Sequence, residues 1–392
     1  MKTVLIGGGY RGKALLKLMR AIPFFEPVAV ADPGLGSPGV PGGNPGAVSG
    51  GNPGASSDTD CFAGLKIYSD GPEDYRRMLA ELKPELAVIC SPWHCHIPQA
   101  AACLDAGCKV ALEIRGGLEE GEYQPLIDRG GKVFPMENII FRRDLLAVRE
   151  MVRKGLFGEI VYMKGCYRHD LRSTLVNAAG EFGGPAPGPF PGKPYEPWRA
   201  KAYTTENADI YPTHSIAPLC LIGDVHSLAE LTSFSSKSAG LREMLGPSCP
   251  KITMGDIVNT VARTSDGKLL TLIHDTTLPR PRSYGIEIQG TRGIWEEDTH
   301  RIYVQGRSPE EQWESDAPYI EEFLDPMWRK WGSEATAADS HHGGMDYIML
   351  KAIEEDLSGG AAYPASLADL ALWTSVTPLS SRSIAEGSTV KL

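Results

Sequence analysis

Thr3-Val4-Leu5-Ile6-Gly7-Gly8-Gly9-Tyr10-Arg11-Gly12, followed by the leucine-spaced run Lys13–Ala21, is the stretch on which the fold turns. An apolar β-type run gives way to G-x-G-x-x-G and then to apolar residues at helical spacing. The glycine motif alone is a weak signal. Pro27–Ala31 then reads as a second buried strand, and Asp32 stands 20 positions beyond Gly12 at its end. A tight turn with a chance aspartate would not account for that order. Gly7, Gly9 and Gly12 would let the backbone reach a pyrophosphate, with Tyr10 and Arg11 inside the same loop and the helix N-terminus facing its charge. Asp32 would accept from ribose hydroxyls and repel a 2′-phosphate, so NAD is expected over NADP.

Outward from this motif the alternation continues. Leu86–Cys90 and Lys109–Leu112 read as further strands, and Glu73–Leu82, Pro98–Ala106 and Glu119–Asp128 as helices. Strands separated by helices predict a doubly wound parallel sheet, a Rossmann unit over residues 1–136. From Pro33 to Ala63 the composition is Gly, Pro, Ser and Asn, which reads as a long loop that either shades the ribose or is a tolerated insertion. Beyond residue 136 the rhythm changes. Arg143–Lys154 reads as a helix and Glu159–Tyr167 as a strand, and a Gly/Pro-rich loop runs from Gly180 to Pro197. Closely spaced strands follow at Ala229–Ser235, Ile257–Thr264, Leu269–His274, Ile286–Gln289 and Arg301–Val304, with Asp266-Gly267 as a hairpin signal. Residues 137–392 are therefore expected to form an α/β domain with an open, largely antiparallel sheet. It would close on helices at Asp339–Asp356 and Leu367–Thr374.

The 392 residues carry a formal net charge of -10, which would repel a phosphate polymer, so nucleic acid is excluded as a partner. No apolar run approaches the roughly 20 residues needed to cross a bilayer, so no membrane partner is expected. Lys2 ahead of Val4-Leu5-Ile6 resembles a secretion signal, but Gly7-Gly8-Gly9 cuts it short. The eight cysteines contain no CxxC pair, and a reduced, cytoplasmic setting is expected.

Ser91-Pro92-Trp93-His94-Cys95-His96 lies past the carboxyl end of a parallel strand, where such sheets bind ligands. Ser91, Trp93 and His96 are candidates for the cofactor rim, with a purely structural His96 as the alternative. Histidines one and two residues from a cysteine seldom converge on one ion, and no metal is expected.

The motifs Met136-Glu137-Asn138, Tyr167-Arg168-His169-Asp170-Leu171-Arg172, Trp198-Arg199, Tyr211-Pro212-Thr213-His214 and His342-Gly343-Gly344-Met345-Asp346-Tyr347 resemble the Gfo/Idh/MocA oxidoreductases. Within them the closer likeness is to glycoside hydrolase family 109, whose members include α-N-acetylgalactosaminidases. One departure from the wider superfamily is informative. Its dehydrogenases carry Glu-Lys-Pro where this chain has Glu113-Ile114-Arg115, and an Asp where this chain has Ile210, with Asp209 one residue off register. An isoleucine moves no proton, and the glycosidase branch also lacks the lysine.

The resemblance implies a redox route to glycoside cleavage: oxidation at sugar C3, loss of the C2 proton, elimination and water addition at C1, then return of the hydride. It implies His214 and Tyr211 as the proton-handling pair, and Tyr167, Arg199 and Thr213 at the substrate. Glu113, Ile114 and Asn138 would border the nicotinamide. His342 would lie near the substrate, its glycines letting a helix end approach or only relieving crowding. His169 and Asp170 are either site residues or an ion pair. Two differences from the branch stand out: Ser215 follows His214 in place of glycine, and Arg282 replaces a tyrosine, with Tyr284 on the same strand face. An arginine there would favour an acidic sugar. The alternatives are an NAD-dependent sugar or polyol dehydrogenase and a non-catalytic NAD-binding regulator. A homodimer or homotetramer is implied by the family's open sheet face.

Overall fold

The computed structural model describes residues 1–35, 60–115, 119–184, 197–339 and 342–392. Most of the 33–63 loop, most of the 180–197 loop, His341 and the side chain of Trp198 lie outside the described residues.

Six strands, β1 (Lys2–Ile6), β2 (Glu26–Ala31), β3 (Lys66–Tyr68), β4 (Leu86–Ile89), β5 (Lys109–Glu113) and β6 (Val133–Met136), form one sheet in the order β3-β2-β1-β4-β5-β6. Every pairing is parallel. The continuous apolar runs of β1, β4 and β5 are buried on both faces, as helices on either side of a parallel sheet require. Four of these strands were legible as apolar runs. β3 is only three residues long, and β6 contains Pro135, which the outermost strand tolerates because one side needs no ladder donor. The chain reverses direction across the sheet between β1 and β4. Gly7 N–H donates to Ala31 and Cys90 N–H to Ile6, so both loops leave the carboxyl edge side by side.

The second sheet contains β7 (Ile160–Arg168), β8 (Leu228–Ser235), β9 (Ile257–Thr264), β10 (Leu269–Asp275), β11 (Glu287–Gly290), β12 (Gly293–Glu296), β13 (Arg301–Val304), β14 (Glu314–Ser315) and β15 (Val390–Lys391). Their order is β14-β13-β12-β11-β7-β10-β9-β8-β15. The β7–β10 pair is parallel and the other pairings are antiparallel. The hairpin expected at Asp266-Gly267 joins β9 to β10, with Gly267 at φ 93°. The expected fold class is what the chain adopts.

Three helix expectations need correction. The Glu119–Asp128 pattern shortens to Gln124–Arg129. The long pattern Asp339–Asp356 is interrupted, because Gly343 and Gly344 both take positive φ, 63° and 97°, and the helix starts at Met345 and runs to Leu357. The last helix does not stop at Thr374. It runs from Leu367 to Glu386 through Pro378, begun by a capping box between Ser366 and Asp369. None of the helices among the described residues is long and apolar enough to cross a membrane, and all eight cysteines are unbridged.

The helix Thr213–Gly223 lies against β7, and Gly165 is what lets it sit there. A Cβ at Gly165 would stand 2.2 Å from the Ser215 carbonyl oxygen. Backbone on both sides leaves little to yield. Gly165→Ala should therefore lower unfolding free energy by about 1–3 kcal/mol, read from urea denaturation at unchanged m-value. A change below about 0.5 kcal/mol would mean that the helix shifts freely.

Candidate active site

The three glycines of the G-x-G-x-x-G motif do different work. Gly7 sits at φ 99°, and a Cβ there would lie 2.7 Å from the backbone of Cys90 and Ser91. Gly12 presses the first helix, Tyr10–Ala21, onto the loop, since its Cβ would come within 2.0 Å of Gly7 oxygen. Gly9 meets nothing within 4 Å, so space stands open at the helix N-terminus. That helix has no side-chain cap at Gly9 and no acidic residue in its first turn, which leaves its N-terminal dipole facing the opening. Asp32 closes the other side, accepting from Gly8 N–H at 2.7 Å and Gly34 N–H at 2.8 Å. The cradle fits the pyrophosphate and ribose of a dinucleotide.

Behind it Arg11 reaches across to a lattice of carboxylates. It donates to Glu113 at the end of β5 and to both oxygens of Asp346 on the helix Met345–Leu357. Asn138 donates to Asp346 at 2.8 Å and His342 Nδ1 at 2.7 Å. Burial opposes the Arg11 charge, but Asp346 and Glu113 more than offset it and hold the guanidinium well above its usual pKa. Burial likewise pushes Asp346 up, and Arg11 and His342 reverse this, holding its carboxyl well below the ordinary range. Glu113 goes the other way, raised by burial despite Arg11. Asp339, His342 and Asp346 bring ligand-type atoms within 4.8 Å of one another. With Arg11, Asn138 and His342 already on Asp346, a cation there would be competing with a guanidinium.

His214 opens the helix Thr213–Gly223 and turns its Nδ1 to Glu137 Oε1 at 2.6 Å. Glu137 is fully buried, and its Oε1 also receives Ile139 N–H. The carboxylate fixes the tautomer and leaves Nε2 as the working nitrogen. Tyr211 and Tyr167 ring centroids lie 4.9 Å and 5.2 Å from that of His214, and 4.9 Å from each other. Tyr284 completes the group at 5.9 Å. Trp93 stacks on Tyr211 at 5.4 Å, and the Arg199 guanidinium carbon is 5.0 Å and 5.1 Å from those two ring centres. Burial raises Tyr211 well above its usual pKa against the pull of Arg199, and Tyr284 is pushed up to about 12. Both phenols are hydrogen-bond donors, not phenolates, at neutral pH. Burial lowers His169 to about 4 and His274 to about 3. Those rings stay uncharged.

The structure thus brings His214, Tyr211, Tyr167, Arg199, Trp93 and Tyr284 into one cluster, and Arg11, Glu113, Asn138 and His342 into a second. Arg282 donates to Tyr284 Oη. Tyr10 is exposed beside the first loop, and Ile114 is buried behind Glu113. Thr213 and His96 are fully buried. His96 binds the Ser91 carbonyl at 2.8 Å, and Ser91 Oγ donates to Gln99 at 2.5 Å. Asp170 accepts from Arg172, whereas an ion pair with His169 was one of the two readings of these residues. Glu137 and Asp346 went unassigned in the sequence. Both stand inside quoted motifs, and a carboxylate one residue from Asn138 or four from His342 was the available signal.

Comparisons with known proteins show the family and the fold. Residues 141–392 match the family description "Glycosyl hydrolase 109, C-terminal domain". A glycosyl hydrolase family 109 protein of Stenotrophomonas maltophilia is 32% identical, covering 98% of this chain and 86% of its own. An alpha-N-acetylgalactosaminidase of Tannerella forsythia is 34% identical over 83% of this chain and 73% of its own. Among solved structures, a levoglucosan dehydrogenase in complex with NADH and levoglucosan superposes with a TM-score of 0.68 at 18% identity, covering 99% of this chain and 98% of that one. A myo-inositol dehydrogenase from Corynebacterium glutamicum gives 0.66 at 14%, covering 100% and 98%. The chain belongs to glycosyl hydrolase family 109, on the fold of the Gfo/Idh/MocA-type dehydrogenases.

Proposed function

We propose that this chain is a glycosidase that uses bound NAD as a catalytic oxidant in place of the carboxylic acid pair of ordinary glycosidases. The observation that carries the reading is the ring cluster around His214, with its imidazole fixed by buried Glu137 and two neutral tyrosines beside it. Gly7, Gly9, Tyr10, Arg11 and Gly12 would hold the pyrophosphate, Asp32 the ribose, and Glu113, Ile114 and Asn138 the nicotinamide end. When bound, NAD⁺ supplies reversible two-electron oxidation at the sugar's C3.

His214 would take the C3 hydroxyl proton at Nε2, pass it to solvent, and then, neutral again, take the C2 proton that a neighbouring ketone makes acidic. Tyr211 donates from Oη to the C3 oxygen as negative charge gathers there, a role that its raised pKa favours. Tyr167 packs the sugar's face, and Arg199 orients its hydroxyls while covering Tyr211 from water. Ile114 is buried and has no proton to offer, which separates this site from a lysine-dependent sugar dehydrogenase. The same reading takes residues 1–136 as the nucleotide domain and 137–392 as the substrate domain, assembled as a homodimer or homotetramer.

Incubation of the holoenzyme with α- and β-aryl glycosides in D₂O tests this. The expected result is release of the aryl alcohol, deuterium at C2 of the freed sugar, and no net NADH. Stoichiometric NADH with an oxidised sugar would replace the glycosidase with a dehydrogenase.

A further inference from the structure

A cavity of 410 Å³ opens between Tyr284 and His342, and three arginines line it: Arg142, Arg143 and Arg282. Two of them are neutralised in place. Arg142 is held by Asp144 and by Glu297, the latter at 2.5 Å, and Arg143 by Glu321. Neighbouring arginines are paired as well, Arg168 with Asp298 and Arg280 with Asp275. Arg282 differs. It donates to the Tyr284 hydroxyl and lies over that ring at 5.1 Å, and among the described residues it has no carboxylate partner.

A guanidinium cannot discharge itself, and one phenol oxygen uses few of its five donors. Arg282 is exposed and lines the cavity. Tyr284 connects it to the chemistry, since that ring is 5.9 Å from His214. The planar fork of Arg282 therefore stands one aromatic ring from the proton-transfer position. The chain as a whole carries -10. Its long-range field repels anions, so attraction for one must come from a local cation.

We propose that Arg282 receives an anionic group, a carboxylate or a phosphate, on the glycoside, and that the site selects acidic over neutral sugars. This rests on the glycosidase reading. The guanidinium grips two oxygens of the anion in its fork while Tyr284 holds the fork's other edge. Arg142 and Arg143 add little net charge, because their own carboxylates stay with them.

The test compares matched 4-nitrophenyl glycosides on the holoenzyme: galactoside and glucoside, their uronides, and their 6-phosphates, in both anomers. At least one anionic member should exceed its neutral counterpart in kcat/KM by about tenfold or more, with the advantage shrinking as salt is added. The uronide and phosphate arms tell which anion is meant. Arg282→Gln should collapse the anionic-to-neutral ratio, mostly through KM, and Arg282→Lys should restore part of it. A neutral preference in the wild type, or a ratio that survives Arg282→Gln, overturns the proposal. If no glycoside is cleaved, the glycosidase reading fails, and the anion site is judged separately by calorimetry. Glucuronate and galacturonate should then bind more tightly than glucose and galactose to the wild type but not to Arg282→Gln. Equal binding overturns it. Thermal unfolding of each variant, unchanged within a few degrees, shows that folding is not the cause.

Discussion

His214→Asn is expected to cut kcat by about 10²–10⁴-fold while the protein still holds its nicotinamide. The asparagine amide can replace Nδ1–H toward Glu137, so the buried carboxylate keeps a donor and the fold should survive. It cannot carry a proton between substrate atoms. Intrinsic fluorescence transfer to reduced cofactor would report that the dinucleotide remains, and aryl-glycoside turnover would report the loss. KM should move far less than kcat, because the ring is proposed to act on protons and not to anchor the sugar. A variant within about threefold of wild type would remove His214 from the mechanism.

Asp346→Ala is expected to be the most destabilising change at the site, at about 3–5 kcal/mol. It strips Arg11 of its bidentate partner and leaves the guanidinium, only 20% exposed, with Glu113 alone. His342 and Asn138 lose an acceptor in the same stroke. The effect has a pH signature whose sign follows from the depressed Asp346 pKa. Above the unfolded carboxylate value of about 3.9, both folded and unfolded chains are ionised here and the full stabilisation is present. Below it the unfolded chain takes up the proton first, so the contribution drains away as pH falls toward the folded value. Melting temperatures of wild type and variant should therefore diverge most near neutrality and converge in acid. A gap that stays constant down to about pH 3 would show that the carboxylate's charge is not what Arg11 needs.

Much of this was readable because apolar period and glycine position are local properties. β1, the glycine loop and Asp32 could be found from a stretch of little more than thirty residues, and hairpin chemistry at Asp266-Gly267 gave a pairing directly. What was not readable is long-range or depends on context. Pro378 looks like a terminator, yet the last helix passes through it, and the turns around it carry Thr377, Ser380 and Ser383. Thr377 Oγ1 donates to the Asp209 carbonyl, and Ser380 Oγ accepts the Asp209 N–H, two residues before Tyr211. Polar residues on a buried helix face carry no periodic signal, so the anchor of Tyr211 was invisible. Thr213 and His96 show a related limit, since both are fully buried. Both lie in motifs, but a motif does not say which of its side chains turns inward.

The partners that fix this site are far apart along the polypeptide. Arg11 and Asp346 are separated by 335 positions, and the Asp209 anchors by 168 and 171. During synthesis the first sheet can form from its own residues, but Arg11 has Glu113 alone and Tyr211 stays unanchored until positions 346 to 380 have emerged. Maturation of the binding crevice is thus a late event, set by loop closure across nearly the whole chain and not by the early formation of the nucleotide half.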